Sequence, residues 1–387
     1  MFLHKSKTQI SVLSRNFNPN RKLSSNSQDY YLIRKNDMED FMQRCMLAVG
    51  TKKSHAESLA KCLIDADYRG HFSHGLNRLD MYARDIKAGT TFSDREPKVV
   101  KESAATALVD GNNVLGPVVG NFCMQLAIEK AKQIGIGMVV ANRSNHYGIA
   151  AHYSSQALRE KLIGLSFTNT SPLIYPTRSK QRTFGTNPLS LAAPGKGEDK
   201  FVLDMATSTV AFGKVEISSL KGEKIPSSWG ADKDGQSTCD PDQVIKGGGL
   251  LPLGGSEESS GYKGYGLNVM VEILCGILGG SLYGPHIRTW QTSSGEADLG
   301  QCFMAINPRN FADNFEDRLQ DLMDYCRNMT PIEANKPMMI AGDPERNHMK
   351  MCDERDGIGY HVNQVKYAEA LANELNIQGP PKRKFLL

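Results

Sequence analysis

Apolar positions recur with helical spacing from about Asn36, where Phe41, Cys45, Met46 and Val49 fall on one face. Ser54-x-x-Glu57 reads as a capping box opening a second run through Leu59, Cys62, Leu63 and Ala66. A third run, Leu76 to Lys87, stops at Gly89. Residues 30–90 therefore predict a helical layer. Beyond it the period changes. Lys98–Lys101 and Ala107–Val109 read as short strands, Gly116–Gln133 as a helix and Gly137–Ala141 as a buried strand. Ile149–Lys161 reads as a helix and Ile163–Thr168 as a further buried strand. Such alternation predicts an α/β core.

Residues 172–215 look strand-rich, with Leu189–Ala192 and Phe201–Asp204 as the candidates, and 216–262 look loop-rich. Lys263–Leu278 predicts an apolar helix. A strand at Gln301–Ile306 precedes a helical C-terminal region, in which Phe315–Arg327 and Gln364–Leu375 stand out. The ending Pro380-Pro381-Lys382-Arg383-Lys384 reads as a solvated tail.

Composition narrows the class. With 387 residues, 40% hydrophobic and 23% charged, the chain is globular rather than disordered. A net charge of only +4 gives no reason to expect nucleic acid as the partner. No apolar run is long enough to span a membrane. The eight cysteines are scattered without a C-x-x-C pair, which fits reduced thiols and argues against zinc. Residues 1–28 lack Asp and Glu but carry Lys5, Lys7, Arg15, Arg21 and Lys22 among many serines. Such a leader fits a mitochondrial transit peptide, or else a disordered basic extension or an imperfect gene-model start, so an intracellular protein, cytoplasmic or mitochondrial, is expected.

The ordinary dinucleotide fingerprint is absent, as are the Walker A, H-E-x-x-H and G-x-S-x-G motifs. His71 and His74, three apart, make a weak metal signal without carboxylate support. Several clusters could still carry chemistry. On a helix, His74, Arg78 and Tyr82 would share one face. They would line the wall of an anion site, or else form a solvated polar face. Asn145-His146-Tyr147-Gly148 follows a buried strand, where ligands commonly sit, so His146 is a candidate acid/base or a loop histidine bonded to backbone. Thr168-Asn169-Thr170-Ser171-Pro172, Gly185-Thr186-Asn187-Pro188 and Asp204-Met205-Ala206-Thr207-Ser208-Thr209 offer hydroxyl and amide groups for phosphate or ribose, or serve as turns. Asp204 could orient a nearby histidine. The glycine-rich run from Gly254 through Gly261-Tyr262-Lys263-Gly264 leads into a helix. It either holds an anion with Lys263 or packs tightly.

Taken in order, these segments resemble the malate/L-lactate dehydrogenase family of the non-Rossmann type. That family includes ureidoglycolate dehydrogenase, L-sulfolactate dehydrogenase and piperidine-2-carboxylate reductase. The likeness covers residues 35–375. It implies a mixed-sheet NAD(P)-binding α/β core unlike the Rossmann fold, a helical N-terminal layer and a helical C-terminal region. It also implies a homodimer and NAD- or NADP-dependent oxidoreduction of a malate- or lactate-like 2-hydroxy acid. The implied division is a leader (1–29), a helical part of the substrate and dimer domain (30–110), the NAD(P)-binding domain with its glycine-rich loop (111–308), and a C-terminal region packing back on the N-terminal part (309–387). The family's catalytic histidine falls on His146 and its carboxylate-binding arginine on Arg78, with His74 and Tyr82 nearby. Cofactor contacts fall on Thr170, Asp204, Met205 and Ala206, with Lys263 as a further candidate. Where the family often has His and Asp, this chain has Gln301 and Asn307. Reduction of cyclic imine carboxylates, or cofactor binding without turnover, are the alternatives that the same residues allow.

Overall fold

The break in period near residue 90 is a break between layers. In the computed structural model, which describes residues 30–289 and 295–385, α1 (Lys35–Ala48) and α2 (Lys53–Tyr68) face each other through Phe41, Met42 and Cys45 on one and Leu59 and Leu63 on the other. The basic leader lies outside the described residues. The expected capping box does not form. α2 starts before Ser54, no side chain caps it, and its entry is held instead by the Lys52 N–H donating to Ser93 O at 2.9 Å. The third run is also shorter than expected. α3 spans Leu79–Lys87, and two 3₁₀ turns, Phe72–His74 and Leu76–Arg78, precede it. They form because the buried Asp67 carboxylate accepts the Leu76 N–H at 2.9 Å and bends the chain around Gly75.

A seven-stranded mixed sheet forms the second layer. Its strands are β2 (Lys98–Glu102), β3 (Thr106–Asp110), β4 (Ile136–Ser144), β5 (Ile163–Thr168), β6 (Leu189–Pro194), β7 (Lys200–Met205) and Leu299–Ile306. Their spatial order is β2-β3-β4, then Leu299–Ile306, then β5-β6-β7. Only β3 and β4 run parallel, joined through the long helix α4 (Gly116–Ile134). Every other pairing is antiparallel. Because Leu299–Ile306 lies antiparallel between β4 and β5, those two strands point the same way. The carboxyl ends of β3, β4, β5 and β7 and the start of β6 therefore meet at one edge of the sheet. Four of the polar clusters follow or precede strands at that edge.

Several elements differ from the sequence expectation. Ile149–Lys161 is broken into the short helix α5 (Ala151–Ser154) and a 3₁₀ turn at Ala157–Glu160. α6 (Phe212–Lys221) lies across the boundary between the strand-rich and loop-rich stretches. It buries Val215 against Ile174, Ile225, Val244 and Leu250. The apolar helix begins at Gly261, runs to Glu272 and continues as a π-helical turn over Ile273–Ile277. The C-terminal tail is not simply solvated. Arg383–Phe385 pairs with β1 (Tyr30–Ile33), whose other edge takes Ile358–His361. A helix at Asp343–Glu354, absent from the sequence reading, hangs Asp353 on the Tyr68 hydroxyl at 2.7 Å. Arg327 ties this region to the main sheet, bridging Asp199 at 2.6 Å and Asp343 at 2.8 Å. All eight cysteines are free. No helix among the described residues is long and apolar enough to cross a membrane.

Candidate active site

β4 ends in a bulge. Ala141 lies opposite Gln301 and Ser144 opposite Leu299, so two residues of β4 face one of its partner. Arg143 takes φ 48° there, a conformation that non-glycine residues rarely adopt. It is fastened by its N–H to Asp298 at 2.8 Å and by its guanidinium to Asp110 at 3.0 Å. The bulge delivers His146 to the end of the sheet. Behind it, Gly116 begins α4 so close that a Cβ would strike the carbonyl oxygens of Asn145 and His146. Gln301, fully buried, donates Nε2–H to Asn145 O at 3.0 Å. Thus Gln301 braces the backbone beside His146.

The first layer supplies the facing wall. His74 and Arg78 sit in the 3₁₀ turns and Tyr82 in α3, so they do not share one helix face. They still converge. His74 lies nearly parallel to His146, ring centroids 5.9 Å apart. The Tyr82 hydroxyl is 2.5 Å from His146 Nδ1 and 3.3 Å from the His146 carbonyl oxygen. Arg78 donates Nε–H to Ser73 O at 2.8 Å, which sets the plane of its fork. Tyr82 is buried behind His146 and does not line the cleft, whereas His71, His74, Arg78 and His146 do.

Burial first, then the neighbouring His74 and Arg78, pushes His146 well below the ordinary histidine range. Burial, then Arg78 and His71, lowers His74 to about 4. His71 goes the other way, raised chiefly by its contact with Glu345. Burial lifts Tyr82 well above 10, so it stays a neutral phenol.

The cleft holds about 510 Å³, within the ordinary range for small-molecule sites. Its far wall carries Thr170, Asp204, Met205 and Ala206. Burial raises the carboxyl of Asp204, which accepts the Ala151 N–H at 2.8 Å; of the histidines it acts most on His71. Lys263 is exposed and lines no part of the cleft. The glycines around it serve close packing: a Cβ on Gly261 would meet Gly255 O, and one on Gly264 would meet Leu253 O.

Sequence reading missed two contributors. The first turn of α6, with Lys214, lines the cleft and offers backbone N–H groups at a helix start. The second is a buried polar core beneath the far wall. Glu272 accepts amide N–H from Asn169 at 3.0 Å and from Asn187 at 2.9 Å. Asn268 donates to Gly185 O at 2.7 Å and Thr207 Oγ1 at 3.0 Å, and Asn187 Oδ1 receives the Thr170 N–H at 3.0 Å. Three of the Thr/Ser/Asn loops are thereby locked together by one helix. The recurring Asn in those motifs was the available signal; Glu272 gave none.

A family model described as malate/L-lactate dehydrogenase matches residues 33–368. A malate dehydrogenase of Pyrococcus abyssi is 42% identical over 319 residues, 82% of this chain and 87% of that protein. A ureidoglycolate dehydrogenase (NAD(+)) of Escherichia coli O157:H7 is 33% identical over 345 residues, 88% of this chain and 96% of that protein. The solved malate dehydrogenase of Pyrococcus horikoshii OT3 superposes with a TM-score of 0.83 at 34% identity, covering 90% of this chain and 97% of the other. With the matched region running from β1 through the C-terminal helices, this chain belongs to the malate/L-lactate dehydrogenase family.

Proposed function

We propose that this protein oxidises a malate- or lactate-like 2-hydroxy acid to the 2-keto acid, and reduces it back, with NAD or NADP. The observation that carries the reading is the convergence of His146, His74 and Arg78 on one cleft whose opposite wall carries the hydroxyl-bearing residues Thr170, Thr186, Ser208 and Thr209. The far wall fits a dinucleotide. Thr170, Thr186, Ser208 and Thr209 offer hydroxyls, and the start of α6 with Lys214 suits a phosphate. When bound, the nicotinamide supplies a hydride acceptor.

Arg78 holds the substrate carboxylate in its fork, which fixes the C2 carbon in the cleft. His146 takes the C2 hydroxyl proton during oxidation and returns it during reduction. Tyr82 fixes the ring. Its hydroxyl lies 2.5 Å from Nδ1, which the Gly148 N–H also approaches at 3.4 Å, so Nδ1 is engaged by the protein and Nε2 is the nitrogen assigned to the substrate. His74, stacked beside it and kept neutral, completes the wall without adding a competing charge. Gln301 and Asn145 position the backbone of the acid/base residue rather than touching substrate. Thr170 and Asp204-Met205-Ala206 form the cofactor wall; Lys263, being outside it, has no part in this scheme.

We read the active species as a homodimer. Tyr262, Met270, Ile273 and Ile277 are exposed along the Gly261–Glu272 helix and its π turn, an apolar strip of the kind that a second copy covers. Light scattering at working concentration reports its mass.

The test is a panel of 2-hydroxy acids, 2-keto acids and cyclic imine carboxylates with both cofactors, followed by nicotinamide absorbance. Turnover of malate or lactate with NAD or NADP is the expected result. Turnover of imines alone would replace the hydroxy-acid reading, and cofactor binding without any turnover would end it.

A further inference from the structure

Three successive carbonyls of the loop that carries His146 each meet a side-chain donor from a different part of the fold. Asn145 O takes Gln301 Nε2–H at 3.0 Å, and the Tyr82 hydroxyl lies 3.3 Å from His146 O. Tyr147 O takes two donors, the Tyr153 hydroxyl and the Cys62 thiol, the latter at 3.2 Å. Gln301 and Tyr82 already belong to the site described above. Tyr153 and Cys62 do not; both are fully buried and neither lines the cleft. The Tyr153 ring is boxed in. It stacks on Tyr147 with centroids 4.7 Å apart, meets Phe303 edge-on at 5.4 Å, and lies so close to α4 that a Cβ on Gly120 would strike it. Phenylalanine would serve that packing equally well. The hydroxyl is what tyrosine adds here.

We propose that Tyr153 and Cys62 are positioning residues for the proton-transfer step: by holding Tyr147 O they fix the Tyr147–Gly148 peptide, and through it the ring of His146. This rests on the reading of His146 as the acid/base group. A trans peptide is planar, with its C=O and N–H pointing opposite ways. Anchoring Tyr147 O on the core side therefore aims the Gly148 N–H the other way. That N–H does face His146 Nδ1, at 3.4 Å, and the Tyr82 hydroxyl beside it. Gly148 has φ 82°, and a Cβ there would strike Cys62 Sγ. The thiol thus both holds the peptide and requires glycine next to it. Tyr153 and Cys62 both keep their protons and remain donors, since burial raises the phenol well above 10 and the thiol to about 12. The consequence is orientation. An imidazole that exchanges a proton with one substrate atom must be held within about 0.5 Å of the productive geometry. The clamped peptide supplies that constraint from behind the ring, on the side away from the cleft.

The experiment measures kcat, KM and Tm for Tyr153→Phe, His146→Ala and the double variant, with malate and lactate as substrates and NADH and NADPH affinity read by fluorescence. Tyr153→Phe keeps the rings packed and removes only the hydroxyl. Its kcat should fall about ten- to a hundredfold, as for a misplaced reacting group, while KM and nucleotide affinity stay near those of the wild type. Added to His146→Ala, the same change should lower turnover no further, because the ring it positions is gone. A tyrosine that only packs would lower Tm and leave kcat in place. Wild-type kcat in Tyr153→Phe, or an equal further loss in the His146→Ala background, would overturn the assignment while leaving hydroxy-acid oxidation intact. Should Tyr153→Phe not fold, Cys62→Ala removes the other donor from the same carbonyl and must show the same split, a lower kcat at unchanged KM; without it the assignment falls. Undiminished turnover in His146→Ala, or a wild type that turns over neither acid, would instead overturn the reading on which the proposal rests.

Discussion

His146 and Tyr82 act as one unit at the scale of single residues. The phenol holds Nδ1 while burial and Arg78 keep the ring neutral. A neutral imidazole is the form that oxidation requires. Its folded pKa lies below the ordinary 6.5, so the base is lost only as pH falls through that lowered value. The acid limb of kcat/KM for hydroxy-acid oxidation is therefore expected below pH 6.5, read from a pH–rate profile. A limb centred above 7 would contradict the assignment of the base. Arg78→Lys tests the fork. A point charge in its place should raise KM for the carboxylate by about tenfold, with a smaller effect on kcat. Equal KM values would remove Arg78 from substrate binding. These residues were legible in the chain because each lies in a short local motif. His71 was noticed only as a weak metal signal, because its partner Glu345 comes from a helix that the pattern did not reveal.

At the scale of elements, the far wall is shaped by one helix acting on three loops. Glu272 receives both Asn169 and Asn187, and burial raises its carboxyl without leaving it unpartnered. Glu272→Leu would take one acceptor from each of two buried amides that keep others in Leu282 O and Asn268, at a cost of about 1–3 kcal/mol. Denaturant unfolding should show a loss of that order, with weaker cofactor binding. Stability equal to the wild type would mean that the network carries no load. The helix itself was legible from its apolar run; its π turn was not, because periodicity does not register one extra residue. α6 escaped notice for a related reason. Val215 and Ile217 are β-branched and Ser218-Ser219 is polar, so local preference pointed away from a helix that burial of Val215 stabilises.

The whole molecule brings the clusters together through strand order. Placing Leu299–Ile306 antiparallel between β4 and β5 sends both strands to the same edge. No local pattern encodes that insertion; the alternation of helices and strands gave the α/β class but not the order. Asp67 joins the larger parts. It accepts the Leu76 N–H and the Tyr360 hydroxyl, both at 2.9 Å, linking α2, the turns of His74 and Arg78, and the C-terminal strand. Burial raises its carboxyl from 3.8 to about 7. A carboxyl raised on folding gives stability below its unfolded pKa that is lost as pH climbs through the folded value. The melting temperature should therefore drop between pH 5 and pH 8 more in the wild type than in Asp67→Asn, as scanning calorimetry would show. Identical pH slopes would contradict a buried, titrating Asp67 at this junction.

The central claim is that one imidazole moves the substrate proton. Its most direct test is His146→Ala, assayed for malate and lactate oxidation alongside fluorescence titration of NADH and NADPH. Turnover should fall by roughly 10²–10⁴-fold while nucleotide affinity stays near that of the wild type. Undiminished turnover in the variant would contradict the account.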